Sequence, residues 1–175
     1  MTNDTTVFSS VESKQFKEQQ ALKDWLNDNF EPDFEKSRCF SVTLLFVPDL
    51  SRQKAMATFK NFVGHLNRRI YGNAYKRFPK EKSVKIVGVI EGGDNTKKSV
   101  HYHCVMVNPY ENFESLVKDC WLNQPKAMKN SDVSVEIVKV YDLSGWDGYL
   151  AKSGSKEKSV EVSYLDCLDI QNSYF

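Results

Sequence analysis

The chain has 175 residues, with 24 Lys and Arg against 23 Asp and Glu, a formal net charge of +1 and 41% hydrophobic residues. That length suits one domain with a full core and is short for two, and the near-neutral charge excludes whole-molecule attraction to nucleic acid, so any basic footprint must be local. No apolar run reaches the roughly 20 residues of a membrane-spanning helix, and "MTNDTTVFSSVESK" lacks the basic and apolar regions of a secretory signal, so the expectation is a chain that is not secreted and has no membrane partner.

Residues 11 to 30 predict a charged helix with Phe16, Leu22, Trp25 and Leu26 loosely periodic, which makes residues 1 to 38 an N-terminal helical extension ended by "EPDFEKSR". "CFSVTLLFV", residues 39 to 47, is rich in β-branched and aromatic residues and predicts a mostly buried strand. From Ser51 to Tyr71, Met56, Phe59, Val63, Leu66 and Ile70 form one apolar helical stripe, stopped by Gly72. A basic, aromatic connector, "GNAYKRFPKEK", leads to a second strand over residues 83 to 91. The turn-forming "GGDNTKK" joins it to a third, residues 99 to 107, so these two strands predict a hairpin. Asn108, Pro109 and Glu111 have the pattern of a capped helix start, followed by an apolar stripe of Phe113, Leu116, Val117 and Cys120. "DVSVEIVKV", residues 132 to 140, predicts a fourth strand, and Ser144 to Asp147 caps a short helix reaching about Lys152 before a polar tail.

Cys39, Cys104, Cys120 and Cys167 include no C-x-x-C pair and fit buried free thiols in a reducing compartment. The order strand, helix, strand, strand, helix, strand predicts an α+β, ferredoxin-like or RRM-like antiparallel sheet of four to five strands. Its helices cover one face, and the other is left for a site.

Two of the three histidines, His101 and His103, stand one residue apart in the third strand. Side chains alternate along a strand, so both point to one face, about 6.5–7 Å apart at the backbone. Glu91 ends the hairpin's other strand and can arrive beside them. Two neutral imidazoles and a carboxylate, with positions left open, suit a catalytic divalent ion. His65 has no such company. Further on, Tyr149 and Lys152 share a face of the short helix. An ammonium near a tyrosine favours the phenolate or stabilises charge on an attacked phosphate.

Glu91 with "HYH" at 101–103 and "YLAK" at 149–152, preceded by "CFSVTLLF", resembles the HUH endonucleases, the rolling-circle replication initiator (Rep) proteins of small DNA viruses, phages and plasmids. The likeness runs over about residues 38 to 155. It implies an endonuclease domain over 39–153, a tail over 154–175, and a catalytic tyrosine helix near the open sheet face. It also implies Mg²⁺ or Mn²⁺ held by Glu91, His101 and His103, and attack by Tyr149 on single-stranded DNA, assisted by Lys152. The products are a 5′-phosphotyrosine and a free 3′-hydroxyl. The insert "GGDNTKK" is long for the family's hairpin, which makes Asp94 a reserve ligand. No G-x-x-x-x-G-K-[ST] occurs, so helicase and polymerase would come in trans from the host. An origin stem-loop is the expected substrate. The expected compartment is the bacterial cytoplasm, or the host nucleus for a eukaryotic virus.

Between residues 68 and 85, Arg68, Arg69, Lys76, Arg77, Lys80, Lys82 and Lys85 face Glu81 alone, with Tyr71, Tyr75 and Phe78 interleaved. Such a mixture suits phosphate contact and base stacking. Lys97 and Lys98, entering the histidine strand, are further candidates for substrate phosphates. The alternatives are a transposase or relaxase with the same chemistry, and a non-catalytic RRM-like nucleic-acid-binding module.

Overall fold

The computed structural model describes residues 38–79, 81–93, 98–109, 111–129 and 134–140, preceded by residues 17, 20, 21, 24, 25, 28–30 and 33. Its elements are β1 (Cys39–Leu45), α1 (Arg52–Tyr71), α2 (Ala74–Arg77), β2 (Ile86–Glu91), β3 (His101–Val107), α3 (Phe113–Leu122) and β4 (Val135–Val140). The strands form one open antiparallel sheet in the order β2-β3-β1-β4. The fold is α+β, and this order is compatible with a ferredoxin-like arrangement.

One face of the sheet is closed by α1 and α3. Val42 and Leu44 of β1, Ile86 and Ile90 of β2, and Tyr102, Cys104 and Met106 of β3 pack there against Phe59, Phe62, Val63 and Leu66 of α1 and Val117, Cys120 and Trp121 of α3. Phe59, Val63 and Leu66 follow the predicted stripe, but the buried side also takes in Ala55 and Phe62, while Met56 and Ile70 sit at its margin. Cys39, Cys104 and Cys120 are buried free thiols; burial pushes the Cys39 thiol up to about 12 and that of Cys120 to about 11.

Gly88 makes room at the centre of this layer. The Phe59 and Tyr102 rings stack at 4.1 Å, nearly parallel, over its backbone, and a Cβ on Gly88 would lie 2.7 Å from Phe59 Cζ. Phe59 is fully buried and cannot swing aside. Gly88→Ala is therefore expected to cost about 1–3 kcal/mol by overpacking. In a thermal melt this should lower Tm by several degrees; an unchanged Tm would show that the aromatic layer yields.

The second face is only partly open, in contrast to the expectation from sequence. The described residues between 17 and 30 are helical, and Phe30 and Trp25 of this segment pack on Val87, Val89, Val105 and Val107. Four apolar side chains on that face need cover, and the predicted extension supplies it. Lys85 ties the segment down: its Nζ donates to Asp33 Oδ2 and to the Asn29 carbonyl, both at 2.9 Å, and lies 5.5 Å from the Phe30 ring centre.

Two local expectations differ. The α3 helix starts at Phe113 with Asn112 as its N-cap, rather than from Asn108. The Asn108 N–H donates instead to the Arg38 carbonyl, which keeps that residue with the sheet. The connector after α1 also contains the short helix α2, a single turn that its basic residues did not announce.

Candidate metal centre

Local alternation sets the facing of β3. Tyr102, Cys104 and Met106 enter the helix-covered core, whereas Val105 and Val107 pack on the second face. His101 and His103 therefore lie on the second face, nearer the hairpin end of the strand than Val105 and Val107. The cross-strand register then brings in the carboxylate, because Glu91 pairs directly with His101 and Val89 with His103.

The hairpin insert does not disturb this register. Gly93 N–H donates to the Lys98 carbonyl at 2.9 Å, so the two strands stay joined up to that pair. Gly92 turns with φ 71°, and a Cβ there would meet the Ser99 carbonyl oxygen at 2.5 Å, a position only glycine tolerates. Arg52, at the start of α1, donates to the carbonyls of Gly92 at 3.0 Å and Ile90 at 3.2 Å and pins the same corner.

Glu91 Oε2 lies 3.5 Å from His101 Nε2. The two imidazole rings are perpendicular, with centres 4.7 Å apart. One ligating atom from each of Glu91, His101 and His103 falls within 4.8 Å of the others. Adjacent ligands bound at 2.0–2.2 Å to one ion lie about 3–3.6 Å apart, so side-chain adjustments on the order of an ångström close the set. The three groups can thus hold a divalent ion through two nitrogens and one oxygen, fewer donors than such an ion takes.

Neighbours orient the rings. The Ser99 carbonyl, 3.0 Å from His101 Nδ1, can only accept, so Nδ1 carries hydrogen and Nε2 faces Glu91. His103 Nδ1 is 3.3 Å from Thr43 Oγ1, and Thr43 is its cross-strand partner on β1. Neither Thr43 nor Ser99 stands out as a site residue in the sequence. The signal for Thr43 is the alternation of Ser41 and Thr43 within an otherwise apolar strand.

The electrostatics separate the two histidines. Burial works against charge on His101, but the hydrogen bonds to Glu91 and to the Ser99 carbonyl outweigh it and raise its pKa above the ordinary 6.5. Burial, reinforced by repulsion from His101, lowers His103 to about 4. The hydrogen bond from His101 holds the Glu91 carboxyl below its usual range. When His101 is protonated, its proton lies between Glu91 and His101, where an ion would sit. Above the His101 pKa the ring is neutral and ligation is unopposed; below it, each ion must displace a proton. Mn²⁺ affinity is expected to fall about tenfold per pH unit once the pH drops below that raised value, with no further loss from His103 until about 4. Calorimetric titration between about pH 5 and 8 checks this; a flat profile would mean that His101 is not a ligand.

The other sequence candidates fall into three groups. Lys98 sits at the mouth of the centre, close enough for its charge to act on all three ligands. Tyr149, Lys152, Lys97, Lys80 and the reserve ligand Asp94 lie outside the described residues. Arg68, Arg69, Lys76 and Arg77 are not brought to the metal centre. Arg52 marks the end of α1 beside Glu91, and Asn67, whose Oδ1 accepts from Val84 N at 2.7 Å, marks the end beside the start of β2. From residue 52 to 68 of this helix is roughly 24 Å at 1.5 Å per residue, and α1 lies behind the sheet. Arg69 there pairs with Asp119 at 2.9 Å, and Lys85 is engaged by Asp33. No described helix is long and apolar enough to cross a membrane. No family model, curated protein or solved structure matches this chain.

Proposed function

We propose that the protein is a metal-dependent endonuclease for single-stranded DNA, of the HUH type, which nicks and rejoins a strand to start rolling-circle replication. The observation that carries the proposal is the convergence of Glu91, His101 and His103 at one end of the second sheet face. The ferredoxin-like reading of the strand order belongs with it, and the register sets the patch at the sheet end shared with Leu45 and the start of β4.

Each residue then has a task. His101, held by the Ser99 carbonyl, and His103, beside Thr43, offer ring nitrogens, and Glu91 offers a carboxylate. A bound Mg²⁺ or Mn²⁺ would supply Lewis-acid polarisation of the scissile phosphate. Lys98 at the mouth steers the phosphate. Tyr149 attacks phosphorus and takes the 5′-phosphate as a phosphotyrosine, and the 3′-oxygen leaves as a hydroxyl. Lys152, three residues on in the sequence, favours the phenolate or balances charge on the phosphate. A 3′-hydroxyl returning to the phosphotyrosine rejoins the strand. A transposase or relaxase would use the same chemistry, and a non-catalytic RRM-like module would use the sheet for binding alone. Against the last stands the polar His101, His103 and Thr43 patch where stacking aromatics would be needed.

The test is incubation with end-labelled stem-loop DNA, with Mn²⁺ or with EDTA. The expected result is one nick in the single-stranded part and a protein–DNA adduct on a denaturing gel, both requiring metal. Binding without any cleavage across a panel of stem-loops would favour the binding module.

A further inference from the structure

The connector between α1 and β2 is a built surface rather than a loose loop. Gly72 ends α1, its N–H bonded to the Arg68 carbonyl at 2.9 Å, and α2 folds back so that the Tyr75 hydroxyl lies 3.9 Å from where a Cβ on Gly64 would be. Gly64 and Arg68 are four apart and share a helix face, so Arg68 emerges beside Tyr75. At the other end, Val84 N–H is held by buried Asn67.

Phe78 stands on this scaffold with its backbone engaged on both sides. Its N–H donates to the Ala74 carbonyl at 2.9 Å, and its own carbonyl accepts from Lys82 at 2.8 Å and Glu81 at 3.2 Å. Yet its side chain is 54% exposed, one of two large hydrophobic residues so exposed among those described. Lys76, Arg77 and Lys82 beside it in the chain are exposed, as is Arg68 near the end of α1, with Glu81 the acid in the same stretch. An aromatic ring on a hydrogen-bonded turn loses little freedom on stacking, and the surrounding cations suit a phosphate backbone.

We infer that Phe78 is a base-stacking platform which, with Arg68, Lys76, Arg77 and Lys82, binds a stretch of single-stranded DNA at the end of the molecule away from Glu91, His101 and His103. The choice of DNA rests on the function proposed above. The roughly 24 Å along α1 places this stretch several nucleotides from any phosphate at the metal centre, so the surface holds a flank of the substrate.

The test uses the full chain, fluorescein-labelled (dT)₂₀ and EDTA, so that no metal step enters. Phe78→Ala is expected to weaken binding at least about fivefold, the low end for loss of one base–aromatic stack, and Phe78→Trp to restore it. In Lys76→Ala/Arg77→Ala, the slope of log affinity against log salt should fall by about 0.7 for each phosphate no longer neutralised. Phe78 is exposed, so unchanged melting should accompany the weaker binding. Wild-type affinity in Phe78→Ala overturns the inference, as does a wild-type chain that does not bind (dT)₂₀. Binding through Phe78 by a chain that never cleaves DNA sinks the nuclease proposal and leaves this one standing. Cleavage by a chain whose binding ignores Phe78 does the reverse.

Discussion

Tyr149→Phe is expected to eliminate the covalent protein–DNA adduct while leaving the fold and DNA affinity nearly intact. Only a hydroxyl is removed, so melting and binding should barely move, whereas removing a nucleophile costs on the order of 10⁴ or more in rate. The motivation is the spacing of Tyr149 and Lys152, three residues apart after β4, in a chain with a three-ligand patch on the sheet. Denaturing gels of labelled stem-loop DNA with Mn²⁺ check it. Adducts persisting in the Phe variant would pass the role to another tyrosine, of which Tyr141 is the nearest in sequence.

His101→Ala is expected to abolish both Mn²⁺-dependent cleavage and Mn²⁺-dependent stabilisation. Losing even a partner of a ligand costs about 10–100-fold in metal affinity, and losing a ligand costs more. For the wild type, Mn²⁺ at 100 times its Kd stabilises the native state by about 2.7 kcal/mol, a rise in Tm of roughly 5–10 °C for a chain of this size. The variant should show almost none of that rise. His101 is the better site for the test than His103, because His103 is 5% exposed and its removal leaves a cavity that itself lowers Tm. Glu91→Gln, nearly isosteric, supplies the control on the third ligand: it should weaken the Mn²⁺ response while keeping the packing. An unaltered Mn²⁺ response in both variants would make the triad a structural feature of the hairpin end.

These two experiments bear on different parts of the chain, and the parts differ in how far the sequence makes them legible. Spacing alone places the histidines on one face, and turn residues alone predict the hairpin. Helix α1 is bounded within a residue by its stripe and Gly72, because an amphipathic helix records its buried side in its own period. The start of α3 is not legible at Asn108, because a capping pattern competes there with a tertiary hydrogen bond to Arg38 that no local window contains. The cover of Phe30 and Trp25 over the second face is hidden for the same reason. The helical segment itself is legible, but the sheet face it covers depends on Lys85 and Asp33, which are far apart in sequence.

Sequence by itself determined what backbone geometry repeats: that His101 and His103 share a face, that Glu91 closes the strand before them, and that Phe78 sits among cations. Tertiary structure alone decided which end of the molecule each feature occupies. The Gly93–Lys98 bond closes the hairpin end so that Glu91, in register with His101, reaches the histidines despite the long insert. The length of α1, pinned by Arg52 at one end and Asn67 at the other, carries the basic connector away from them. Side-chain period is a property of a few successive residues, whereas register and distance come from pairings across the whole sheet.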